Sequence, residues 1–283
     1  SFWNWTEPKR TDLLRRLTQT TENACTLING DEMRTFRRSS YATEPRKHDI
    51  KKWFNHLLRK RMTEAGVSSS AVSYSKKRRP KILVVHERFL KEHAMYRCYA
   101  PLLRTLNNHF ETVALVESKM VDAEADDIFQ EVIRLSDTLP NVKAITALIQ
   151  AQEPDIIYYP SLGMSHWTVM VAGLRLAPIQ VMTHGHPATS MLDTIDYAYV
   201  CAMDGDLSRV HSEFTVTGPG TAIFEAHSDM PATLPPLLEP SEREVRIAVN
   251  SKVMKLSWRL LEICKRLERE ASVPVRFTFF PGE

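Results

Sequence analysis

What is scarce in this sequence excludes several kinds of protein at the outset. Only four cysteines occur, Cys25, Cys98, Cys201 and Cys264, and they lie far apart. They form no Cys-x-x-Cys pair and no Cys/His zinc spacing, so neither a disulfide framework nor a zinc module is indicated. Few, scattered cysteines in a chain of this length fit a reducing compartment, and the expected location is cytoplasmic. No apolar run approaches the ~20 residues needed to cross a bilayer, so no membrane span is expected. The opening Ser1-Phe-Trp-Asn-Trp-Thr6 lacks the basic and then apolar regions of a signal peptide. An initiator methionine is also missing, which reads as a fragment or a processed product. The other end, Phe277 to Glu283, stops just after a strand-like run, as though the natural chain continued.

What is present is an ordinary core-forming composition with an uneven charge. Hydrophobic residues make up 43% and charged residues 25% of 283 residues, enough for two domains or one large one. The net charge is only +3. Residues 1–79 nevertheless hold 18 Lys and Arg against 8 Asp and Glu, and the remainder 19 against 26. A basic arm can mark nucleic-acid binding. Here its cations are interleaved with apolar residues, the pattern of a solvated helix face, and no nucleic acid is expected as partner.

The chain divides by pattern. Residues 1–79 read as a helical N-terminal segment ending in a basic linker, with Ile50, Trp53, Phe54, Leu57 and Leu58 at helical spacing between His48 and Met62. From Lys81 the pattern alternates. Strands are predicted at 81–86, 112–116, 155–159, 179–182 and 195–201, with helices at 92–107, 124–132, 142–152 and 167–174. The helix at 92–107 is predicted to turn Tyr96, Tyr99, Leu102, Leu103 and Leu106 inward. Strands alternating with helices imply βαβ units and a doubly wound parallel sheet. Residues 204–242 read as irregular, ending in the proline-rich connector Met230 to Pro240. The alternation then restarts with strand 245–249, helix 257–270 and strand 275–280. The expected architecture is α/β with two Rossmann-like domains, at 80–242 and from 243 to 283, the second one cut short and the site in the cleft.

Two loops hold the polar residues that such a fold would offer to a ligand. The run Arg175 to Met182 ends in Thr183-His-Gly-His-Pro-Ala-Thr-Ser190, a small polar turn at the carboxyl end of a strand, with imidazoles His184 and His186. The same turn also reads as a purely structural strand-to-helix connection. The second loop, Asn250-Ser-Lys-Val-Met-Lys-Leu-Ser257, precedes a helix that Ser257 can cap. Lys255 beside that helix N-terminus suits a diphosphate. The loop lacks the glycine pattern of a P-loop. His93 and Arg97 lie four apart on one helix face and add polar groups at the end of the first strand, or simply an exposed polar face.

In order, these segments resemble a known family. The run Asp155-Ile-Ile-Tyr-Tyr-Pro-Ser-Leu-Gly-Met164, then Leu174-Arg-Leu-Ala-Pro-Ile-Gln180, then Gly185-His-Pro-Ala-Thr189 is similar to the bacterial cytoplasmic adhesin N-glycosyltransferases. These share glycosyltransferase family 41 with the O-GlcNAc transferases. Ala94-Met-Tyr-Arg97 after His93 and Met254-Lys-Leu256 are similar to further family segments, and the resemblance covers about residues 45–283. It implies a GT-B fold, in which 80–242 is the acceptor-side domain and 243–283 begins the nucleotide-sugar domain. It also implies inverting, metal-independent transfer of a hexose, glucose above all, from a UDP-sugar to Asn in Asn-x-Ser/Thr of an adhesin-like acceptor protein. No cofactor is implied. By position in the motifs, Lys255 and His186 are carried over as catalytic, and Lys252, Asn250, His93, Arg97, Gln180 and Thr189 as substrate-binding. Lys252 departs from the family, which has Thr or Gln there, and 201–235 matches poorly.

Other readings stay open at this point. Acceptors could be Ser or Thr. Asp204-Gly-Asp206 could hold a metal against a nucleotide sugar, or could be a plain turn. A non-catalytic relative could bind a protein partner through its basic helical segment.

Overall fold

The structure is a computed structural model, and it describes residues 12, 15–16, 33, 36–37, 39–42, 46–69, 72–73, 79–136, 138, 141–183, 185, 188–201, 206–218, 224–231, 233, 244–251 and 255–280. Two compact units are present. The larger joins Gly30–Arg37 to His48–Met230. The smaller joins Ser1–Asn29, Arg38–Lys47 and Pro231–Glu283.

The larger unit is built on a seven-stranded sheet. Its strands are β1 (Lys81–Val85), β2 (Glu111–Glu117), β3 (Glu131–Leu135), β4 (Ile156–Tyr159), β5 (Ile179–Thr183), β6 (Tyr197–Cys201) and β7 (Phe214–Gly218). Every pairing is parallel, in the order β3-β2-β1-β4-β5-β6-β7. β1 is central and apolar on both faces, as a strand covered by helices on each side must be. Its Val84 pairs with Ala114 on one side and Tyr158 on the other.

Helix α2 (Ala94–Leu106) buries Tyr96, Ala100 and Leu103 against Ile82, Val84, Ala114 and Val116. The other face carries α1 (Asp49–Glu64), α3 (Val142–Ala151) and α4 (His166–Ala172), with α1 and α3 both packed on α4. α1 turns Ile50, Phe54 and Leu58 inward at the spacing read from the sequence, with Trp53 and Leu57 half-buried. It belongs to the compact unit of the sheet.

Three expectations differ from the structure. The helix expected at 124–132 is a short 3-10 turn, Ala123–Asp127, followed by β3. The stretch read as irregular contains β7. Both missed strands form the edges of the sheet, where only one neighbour and partial cover are available, so neither has an apolar run to betray it. Leu102, expected inside, is 39% exposed. It lies about 100° around the helix from Leu103 and so leaves the stripe that Tyr96 and Leu103 share.

The smaller unit contains β8 (Val245–Asn250), α5 (Trp258–Glu270) and β9 (Val275–Phe280), with β8 and β9 paired in parallel. This is the βαβ unit expected from the sequence at the start of a second parallel sheet.

Candidate functional site

In an open parallel sheet, ligands bind outside the carboxyl ends of strands where the strand order reverses. Here that point lies between β1 and β4. The residues that leave β1, His86 and Glu87, are both fully buried. Glu87 turns toward the start of α4. Its carboxylate accepts from the backbone N–H groups of Gly163 at 3.2 Å, Met164 at 3.0 Å and Ser165 at 2.8 Å, and from the Thr168 hydroxyl. The positive end of α4 is thereby already matched by an internal anion. Burial outweighs these hydrogen bonds and pushes Glu87 up to about 6. His86 turns the other way and stacks on Phe89 at 4.1 Å. Neither ring nitrogen has a hydrogen-bond partner, and burial lowers the imidazole to about 3.

Helix α2 begins beside this point. His93 is its N-cap, and its Nδ1 accepts the Met95 N–H at 3.2 Å. Arg97, one turn on, is half-buried, forms no ion pair among the described residues, and has a buried Nε without a partner. The segment 224–230 runs along α2. Glu225 donates its N–H to the Arg97 carbonyl at 2.9 Å and pairs with Arg104, while His227 approaches Glu92 at 3.3 Å.

β5 feeds the histidine loop. Gly185 donates its N–H to the Pro160 carbonyl at 2.9 Å. A Cβ at this glycine would meet that carbonyl oxygen and Met95 Cε, each at 2.5 Å. His184 and His186 lie outside the described residues. The structure places Gln180 and Thr189, both read as substrate-binding, in the framework instead. Gln180 is fully buried, accepting the Leu176 N–H at 2.8 Å and donating to the Thr194 carbonyl at 2.9 Å. Thr189 is fully buried too, and its hydroxyl donates to Glu213 at 2.8 Å. A side chain with no exposed surface shapes a site through its neighbours.

In the smaller unit Ser257 caps α5 as expected, its Oγ accepting the Leu260 N–H at 3.2 Å. Lys255, two residues earlier, is exposed and enters no ion pair among the described residues. Asn250 ends β8 and is exposed, while Lys252 lies outside the described residues. Asp204 does so as well. Asp206 accepts from the N–H and hydroxyl of Ser208 at 3.0 and 2.6 Å, the bonding of a turn. Among the described residues, no three His, Cys, Asp or Glu cluster to hold a metal ion.

Sequence reasoning missed Glu87, Lys51, Asn55 and Glu213. All four are polar residues fully or nearly buried. No motif or periodicity marked them: Lys51 falls among cations read as a solvated helix face, and Glu213 falls in the stretch read as irregular.

Doubly wound topology with polar groups gathered at the carboxyl ends of central strands defines a Rossmann-like domain. Comparison with known proteins narrows the class. The chain is 29% identical over 282 residues to the UDP-glucose:protein N-beta-glucosyltransferase of Actinobacillus pleuropneumoniae serotype 5b (strain L20). It is equally similar to the protein of that name from serotype 7 (strain AP76). Each alignment covers 98% of this chain and 44% of the relative, so the chain spans less than half their length. A point mutant of the O-GlcNAc transferase of Thermobaculum terrenum matches in structure with a TM-score of 0.66 at 13% identity, over 97% of this chain and 55% of that one. No family model matches the chain. The fold is GT-B-like, and the similarity in sequence bears out the resemblance to glycosyltransferase family 41.

Proposed function

We propose that this chain is part of a protein glycosyltransferase that moves glucose from UDP-glucose to the side-chain nitrogen of Asn in Asn-x-Ser/Thr. The observation that carries the reading is the similarity to protein N-beta-glucosyltransferases along 98% of the chain. The reaction forms a C1–N bond, breaks the bond from C1 to the β-phosphate oxygen, inverts the anomeric carbon and releases one amide proton to solvent. Negative charge develops on departing UDP. Lys255 is exposed next to the first turn of α5, where unpaired backbone N–H groups favour an anion. It stabilises the leaving diphosphate without a metal, with Lys252 and Asn250 in the same loop. By its place in the motif, His186 serves the sugar or the diphosphate. His93 and Arg97, the latter with a buried Nε that no group in the chain engages among the described residues, bind the acceptor peptide. The acceptor is adhesin-like, and the enzyme works in the cytoplasm. No helix among the described residues is long and apolar enough to cross a membrane.

The test is the intact mass of an Asn-x-Thr peptide after incubation with UDP-glucose and the full-length gene product. Gain of one hexose, undiminished by EDTA, is expected. Loss of transfer with EDTA would move the assignment to a metal-dependent enzyme using Asp204 and Asp206. Transfer only from UDP-GlcNAc to Ser/Thr peptides would replace the acceptor. No transfer from either donor would leave a binding protein.

A further inference from the structure

The two edges of the seven-stranded sheet are finished differently. At one edge β3 carries Glu131 and Arg134 at exposed positions, and Arg134 pairs with Asp126 at 2.8 Å. Charges on an edge strand keep other chains from adding to it. At the other edge β7 reads Phe214-Thr-Val-Thr-Gly218, and no charged residue occurs from Phe214 to Phe224. Phe214 is 78% exposed and Val216 45%, and Tyr197, paired with Phe214 on β6, is 39% exposed. The rings of Tyr197 and Phe214 lie 6.4 Å apart, so the three residues form one apolar patch on one face of the sheet.

The backbone of this edge is open too. Phe214 donates its N–H to the Asp196 carbonyl at 3.0 Å, toward β6. Bonding direction alternates along a strand. Val216 and Gly218 therefore also face β6, while Thr215 and Thr217 turn their N–H and C=O groups outward. Among the described residues, β6 is the only strand paired with β7.

The sequence of β7 also matches a reversed copy of itself. With a two-fold axis at Val216, perpendicular to the sheet, an antiparallel copy sets each Thr215 opposite a Thr217. Each such pair exchanges two N–H···O=C bonds, which uses every outward group of both threonines. Val216 meets Val216, and Phe214 meets Gly218, so the largest side chain faces the residue that has none. The Tyr199 ring lies over Gly218, where a Cβ would otherwise be, and gives the incoming Phe214 an aromatic surface to pack on. No like charges are brought together. With β3 guarded by charge, the pairing closes at two copies.

We propose that this edge is a homodimer interface, in which β7 pairs antiparallel with β7 of a second copy and joins the two seven-stranded sheets into one. The pairing does not depend on the reaction assigned above.

The test is sedimentation velocity of the full-length gene product at about 10 μM, a concentration at which a specific interface of standard size is occupied. Wild type is expected at twice the chain mass. Val216→Lys and Val216→Glu each set like charges opposite one another at the axis, and each should weaken association at least about 10-fold and sediment as a monomer. An equal mixture of the two should recover the dimer, because Lys then faces Glu. Thr217→Pro removes an outward N–H and leaves the bonds to β6 in place, so it should be monomeric with its circular dichroism unchanged. A monomeric wild type overturns the inference. A dimer that persists in Val216→Lys and Thr217→Pro is held by another surface and overturns it as well, and so does a mixture that stays monomeric. Should the Val216 variants fail to fold, Thr217→Pro decides alone.

Discussion

His86 and Glu87 are neighbours with opposite responses to pH. Burial depresses His86 to about 3 from an ordinary 6.5. The unfolded chain then binds a proton that the folded one refuses, so stability is present above pH 6.5 and is lost as pH falls toward 3. The full shift corresponds to about 5 kcal/mol. Burial raises Glu87 to about 6 from 4.5. Here the folded state binds the proton more readily, so stability is present below pH 4.5 and about 2 kcal/mol of it is lost as pH rises to 6. His86→Leu should flatten the acid loss between pH 6.5 and 4 in denaturant titrations, while Glu87→Gln should steepen it between 4.5 and 6. An unchanged slope in either variant contradicts these environments. At the same scale, Lys255→Ala and His186→Ala should each raise the transfer barrier by about 2–4 kcal/mol, roughly 30- to 1000-fold in kcat. Near-wild-type rates in both variants would remove the site assignment.

Elements show why some of the fold is readable in sequence and some is not. β1, β2, β4 and β5 are covered on both faces, so each is an apolar run with its own signature. β3 and β7 lie at the edges, partly exposed, and Glu131 to Leu135 passes for the end of a helix. The loop after β5 was visible as a polar break, but its packing was not. Gly185 is required there for space: its φ is unexceptional, yet a Cβ would strike the Pro160 carbonyl. Gly185→Ala should therefore lower the unfolding free energy by about 1–3 kcal/mol and reduce transfer, because backbone on one side or the other must shift. Wild-type stability and rate in this variant would show that the loop yields freely.

At the scale of the whole molecule, the two compact units differ in how well they are buried. The seven-stranded sheet has Leu83, Val84, Leu115, Ile157 and Tyr159 at or near zero exposure. In the smaller unit Trp258 is 58%, Ile263 47% and Phe280 54% exposed, and of the described hydrophobic residues in β8, α5 and β9 only Cys264 is buried. A two-stranded sheet is marginal in water unless a helix covers it, and α5 buries only Cys264. Hydrogen exchange on residues 1–283 should find β1, β2 and β4 amides protected to near the global unfolding free energy, and β8 and β9 amides several kcal/mol less so. Equal protection would mean that the smaller unit owes its order to contacts beyond its own βαβ core.

Read alone, the sequence shows the alternation of strands and helices, hence the parallel sheet, the restart near Val245, the Ser257 cap and the order of motifs that resembles glycosyltransferase family 41. These are local: periodicity, caps and short motifs are written within a dozen residues. Only the tertiary structure decided which polar residues face inward. Gln180 and Thr189 look like ligand residues in the chain and are bound by the protein's own groups in the fold. Lys51 reads as a solvated helix cation and is buried on a carbonyl 138 residues away. A hydrogen bond across that separation has no periodicity, since its partners are chosen by where two surfaces meet, and that is settled when the helices pack on the sheet.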